Sequence, residues 1–67
     1  MVARVSSTLT RREEQVLALV ARGLTNSEIA AELEIATRTV GKHLEHVYEK
    51  LDTSTRTGAL ARWKRPN

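Results

Sequence analysis

Arg38, Lys42, Glu45, His46 and Glu49 recur at spacings that a helix brings to one side, with Thr39, His43 and Lys50 on its flank. Every one of these side chains can hydrogen-bond, and none is a large apolar residue. Arg and Lys can donate to guanine O6 and N7, and Glu can accept from the cytosine N4 amino group. Hydroxyls, imidazoles and a helix N-terminus can hold phosphate oxygens. The chemistry on offer is recognition of polar edges and anions. The competing reading is a solvated face with intrahelical Lys42–Glu45 and Lys42–His46 pairs. Charge pattern alone favours that second reading.

Other chemistries find less support. His43 and His46 lie three apart, as two metal ligands on a helix could. A third ligand is needed, the chain has no cysteine, and Glu49 would complete only an open trio. Glu13 and Glu14 are adjacent, so they do not face each other on a helix and cannot form an acid/base pair. No glycine-rich phosphate loop and no supported Cys/His or Ser/His/Asp arrangement occurs. The expectation is therefore a non-enzyme without metal, cofactor or small-molecule ligand.

The elements that must position these residues are helices. Thr10-Arg-Arg-Glu13 is a capping box, in which the Thr hydroxyl and the Glu carboxylate satisfy two free amides reciprocally. Val16, Leu17 and Val20 follow at helical spacing, and Gly23 suits the left-handed position after a helix end. The first helix is predicted over about 11–22. Thr25-Asn-Ser-Glu28 is a second box, opening a short helix over about 26–33 that buries Ile29, Ala30 and Leu33. Only Glu34, Ile35 and Ala36 separate it from the next. There Val40, Leu44, Val47, Tyr48 and Leu51 make one apolar stripe at about 100° per residue, predicting a helix over about 37–51. Residues 52–54 form a turn. Thr55 or Ser54 caps a last helix, about 56–64, carrying Ala59, Leu60 and Trp63, with Pro66 just beyond it. Trp63 is expected to pack back onto the first helix, the alternative being a dimer patch. No period-2 run of β-branched residues suggests a strand. The fold class is all-α, with four helices.

Composition narrows the class further. With 67 residues there is one domain, near the lower limit for independent folding and too small for a deep catalytic pocket. No apolar run approaches the roughly 20 residues that cross a membrane. The missing cysteines fit a reducing, cytoplasmic setting. Net charge is +3, and its distribution matters more than its size. Glu13, Glu14, Glu28, Glu32 and Glu34 precede residue 35, whereas Arg38, Lys42, Lys50, Arg56, Arg62, Lys64 and Arg65 follow it. That asymmetry gives a basic side suited to phosphates.

A short helix, a tight turn and a longer helix make a helix-turn-helix, whose second helix enters the DNA major groove. A helix over 37–51 is about 22 Å long, enough to lie along a groove. This arrangement reverses the preference for a merely solvated face. Leu9-Thr10-x-Arg12-Glu13-x-x-Val16-Leu17 resembles the opening of the LuxR/GerE-type DNA-binding domain. Gly23-Leu-Thr-Asn26-Ser-Glu28-Ile29-Ala30-x-x-Leu33-x-Ile35, Thr39-Val40-x-x-His43, Lys50-Leu51 and Arg56-Thr57-x-Ala59 continue that resemblance in register to about residue 61.

The resemblance implies a four-helix domain of bacterial transcription regulators that binds double-stranded DNA in the nucleoid. It implies that Gly41, Lys42 and Glu45 face bases; Arg38, near the helix start, and His46, on the same outer face, are further candidates for contact with DNA. Thr39, His43, Lys50 and Arg56 would be phosphate contacts or their supports, and Asn26 would lie near the backbone. The last helix, through Leu60 and Trp63, would carry a homodimer contact. The expected organisation is an N-terminal arm over 1–8, the domain over 9–64 and a tail over 65–67. Four positions depart from the family pattern: Ala36 for a capping Ser, Gly41 for a longer side chain, Asp52 for Gly, and Gly58 for Glu. Thr37 could then take over the cap with a shifted helix start. The alternatives are a protein-interaction module contacting an RNA polymerase subunit or a regulator, and the promoter-reading domain of a sigma factor.

Overall fold

The computed structural model describes residues 9–63. The expected arm over 1–8, the tail over 65–67 and Lys64 lie outside the described residues. Four helices follow in order: α1 Arg11–Ala21, α2 Asn26–Leu33, α3 Thr37–Lys50 and α4 Arg56–Trp63. No strand occurs among the described residues.

Both capping boxes form. The Glu13 amide donates to Thr10 Oγ1 at 3.1 Å, and the Thr10 amide donates to Glu13 Oε1 at 2.9 Å. Thr25 and Glu28 repeat those bonds at the same distances. Thr55, rather than Ser54, caps α4: its Oγ1 accepts from the Gly58 amide at 2.9 Å. Helix α3 begins at Thr37 behind Ala36, which offers no side-chain cap. Thr37 therefore does not take over that role. The α3 start is held instead by backbone bonds from Thr39 and Val40 to the Ala36 carbonyl and by the packing of its apolar stripe.

The first three helices end in one way. After α1, Gly23 N–H donates to the Val20 carbonyl and Leu24 N–H to the Leu19 carbonyl. After α2, Glu34 and Ile35 donate to Ala31 and Ala30; after α3, Asp52 and Thr53 donate to Glu49 and Tyr48. This is the Schellman arrangement, which needs a left-handed residue at its corner. Gly23 takes it at φ 89°, Glu34 at 60° and Asp52 at 57°. Each corner redirects the chain within two or three residues, so successive helices stay in contact.

Val16, Leu17, Ile29, Val40, Leu44, Val47, Leu51 and Ala59 form the centre of one core that all four helices share. Helix α3 packs against both α1 and α2, and α4 closes over α1. Tyr48, Leu60 and Trp63 are half-buried against this core, Trp63 as expected of a residue folding back. Burial of one stripe of α3 fixes its rotation and so decides which side chains it turns outward.

Candidate nucleic-acid interface

The outward face of α3 carries Arg38, Lys42, Glu45, His46 and Glu49, all exposed, with Thr39, Gly41 and His43 half-buried. Arg38, Thr39, Gly41, Lys42 and Glu45 line one open concavity of about 530 Å³. Five of the residues expected to contact a partner are thus brought together between residues 38 and 45 of α3. Among the described residues, no ion pair joins Lys42 to Glu45. The side chains of Arg38, Lys42 and Glu45 are left turned to solvent without the intrahelical pairs that a purely solvated face would use.

Lys50 and Arg56 sit differently. Lys50 Nζ donates to Glu13 Oε1 at 2.8 Å, linking the end of α3 to the start of α1. The Glu13 side chain is 5% exposed and that of Lys50 33%. His46 turns Nδ1 toward the other carboxylate oxygen at 3.9 Å. Burial pushes the Glu13 carboxyl up, but the Lys50 ammonium, the Thr10 amide and the His46 ring outweigh it and hold it below the usual carboxylate range. Arg56 donates through Nη1 to Asn26 Oδ1 at 2.7 Å and through Nη2 to the Leu24 carbonyl at 2.8 Å. This fork pins the start of α4 to the corner where α2 begins. The expected site residues thus fall into an outward group around Gly41 and a group (Asn26, Lys50, Arg56) bonded within the fold.

Sequence reasoning missed the tertiary partner of Glu13. A signal was present: Glu13, Val16, Leu17 and Val20 share one helical stripe, so a carboxylate stood where a core residue belongs. A buried carboxylate needs a cation, and Lys50 is the one that hydrogen-bonds to it, with His46 farther off. Among the described residues, no cluster of three His, Asp or Glu side chains could hold a metal. None of the described helices is long and apolar enough to cross a membrane.

A short α2, a three-residue corner at 34–36 and a longer α3 with a polar outer face constitute a helix-turn-helix DNA-binding domain. The chain belongs to the luxR family of bacterial regulatory proteins, whose family model matches residues 7–62. The family is one of DNA-binding transcription regulators. The chain is also similar to a solved structure, the response regulator ChrA of a heme-sensing two-component system, at 41% identity and a TM-score of 0.79. That match covers 81% of this chain and 27% of ChrA, so this chain spans well under half of its structural relative.

Proposed function

We propose that the chain reads specific duplex sequences by laying α3 in the major groove, and that it acts by binding and not by catalysis. The carrying observation is the unpaired Arg38, Lys42 and Glu45 face around Gly41. Lys42 and Arg38 donate to guanine edges and Glu45 accepts from cytosine N4. Thr39, His43 and the start of α2 near Asn26 lie against phosphates. Lys50 and Arg56, each bonded within the fold, act first as supports that hold α3 and α4 in place. Two copies, meeting through α4 near Leu60 and Trp63, bind the half-sites of an inverted repeat.

The experiment is selection of bound sequences from random duplex DNA, at low and at physiological salt. A motif enriched at both supports specific reading, and an inverted repeat supports the dimer. Lys42→Ala should then flatten preference at one base-pair position, a loss of about 1–3 kcal/mol of discrimination. Arg38→Ala should do likewise if it reads a base, or lower the salt slope by about one unit if it meets a phosphate. An unchanged motif and affinity in Lys42→Ala would remove Lys42 from the reading set. Glu45 and Glu49 on the same exposed face favour the second reading, a protein partner. Binding only at low salt, with no enriched motif, would leave nonspecific electrostatics and remove the case for specific reading, and a search for a protein partner would follow.

A further inference from the structure

Gly41 has no explanation within the fold. A glycine inside a helix is disfavoured relative to alanine, so its presence needs a reason. Gly23 has one in its φ of 89°. Gly58 has one in crowding, since a Cβ there would run into the Thr53 hydroxyl and approach Thr55 Oγ1 to 2.9 Å. Gly41 has neither: its φ is negative, and an added Cβ would meet no heavy atom within 4 Å. The fold would accept a side chain at this position and be better helix for it. What excludes one therefore lies outside the chain, in something that approaches the α3 backbone closely.

The surroundings indicate the chemistry of that occupant. Residues 38, 41, 42 and 45 fall on one helical face, and the missing side chain leaves a notch walled by Arg38, Thr39, Lys42 and Glu45. At Gly41 itself the backbone amide and carbonyl lie inside α3 and are spent on its hydrogen bonds, so this part of the floor offers C–H groups only. The rim offers a guanidinium, an ammonium and a carboxylate. The matching shape is a small apolar projection surrounded by hydrogen-bonding edges. In the major groove the apolar projection on a base is the C5-methyl group of thymine, and 5-methylcytosine carries the same group at the same place.

We propose that the Gly41 notch receives the C5-methyl group of a pyrimidine, making Gly41 a specificity-determining residue of α3. The proposal rests on the DNA-reading role argued above. The test begins with the duplex motif selected by the 67-residue chain. Each thymine of that motif is replaced in turn by deoxyuridine, which removes only the methyl, and binding is followed by fluorescence anisotropy. One thymine per half-site should weaken binding about fourfold on losing its methyl, the effect of exposing one buried methyl group. At that position, 5-methylcytosine against cytosine tells whether the methylated base serves as well as thymine. Gly41→Ala should melt no lower than the native chain, bind the motif less tightly, and lose the thymine-to-deoxyuridine difference. An enriched motif with no methyl-sensitive position, or with undiminished methyl sensitivity in Gly41→Ala, overturns the notch and leaves DNA reading in place. Absence of any enriched motif overturns both.

Discussion

The ammonium of Lys50 and the carboxylate of Glu13 meet at 2.8 Å across 37 residues of chain, joining the last turn of α3 to the first turn of α1. The same Glu13 oxygen accepts the Thr10 amide. One buried side chain therefore closes a local helix cap and a tertiary clamp, and the rotation of the proposed reading helix is fixed partly through it.

Substitutions at Glu13 separate the two functions. Glutamine can still close a capping box but carries no charge for Lys50. Glu13→Gln should cost about 1–2 kcal/mol, toward the low end for a hydrogen bond to a charged group because Lys50 is partly solvated. Glu13→Ala loses the cap as well and should cost about 2–4 kcal/mol. Urea unfolding of both variants measures this. A Glu13→Gln protein as stable as the native chain would show that the clamp contributes nothing.

The same pair sets an acid response. Glu13 has its folded-state pKa lowered from the ordinary value of 4.5. A carboxylate depressed on folding stabilises the native state above its unfolded pKa, and that contribution drains away as pH falls through the folded value. The Glu13 contribution should therefore be fully present above about pH 4.5 and be lost as pH falls below it. Lys50→Met removes the main group that lowers the Glu13 pKa. Its deficit against the native chain should be largest near neutrality and shrink in acid. A deficit independent of pH would assign the effect of Lys50 to packing of its alkyl stem.

Arg56 invites a comparable dissection. Its fork holds Asn26 Oδ1 and the Leu24 carbonyl at 2.7 and 2.8 Å. A single ammonium cannot reproduce a planar two-pronged donor. Arg56→Ala should destabilise by about 2–3 kcal/mol, with Arg56→Lys recovering no more than half of it. A double-mutant cycle with Asn26→Ala should give a coupling above about 0.5 kcal/mol. Additive losses would mean that the two side chains do not support each other.

How far these relationships could be read from sequence depends on their range. The boxes at Thr10 and Thr25 and the left-handed corner at Gly23 are local, and residue type with spacing sufficed for them; Asp52 stands out only as a departure from the family's glycine. Glu34 was not legible as a corner, because glutamate carries no preference for positive φ; the Ile35 amide bond to Ala30 and the tight α2–α3 connection impose it there. Ala36 misled for a related reason. A missing cap hydroxyl suggested a shifted start, but the buried stripe from Val40 to Leu51 fixes α3 whatever its cap. The resemblance already sets Lys50 and Arg56 apart from Lys42, but their partners within the fold were not legible. Lys50 falls on the flank of α3, but its bond to Glu13 joins residues 37 apart, and no local pattern of residue types reports such a contact.

The two helical glycines make opposite predictions under one substitution. At Gly41 an added methyl meets nothing, so Gly41→Ala should gain about 1 kcal/mol from helix propensity. For a domain of this size that is a rise of about 4–8 °C in Tm. At Gly58 the same methyl collides with Thr53 Oγ1 and crowds the Thr55 hydroxyl that caps α4. Gly58→Ala should fall short of the gain at Gly41 or lose stability outright. Adding Thr53→Ala should recover part of that shortfall by removing the obstructing hydroxyl, so the two changes together should cost less than their sum. Equal gains at both positions would mean that Thr53 yields freely. The glycine at the head of α4 would then be as unexplained within the fold as Gly41, and an outside partner would have to account for both.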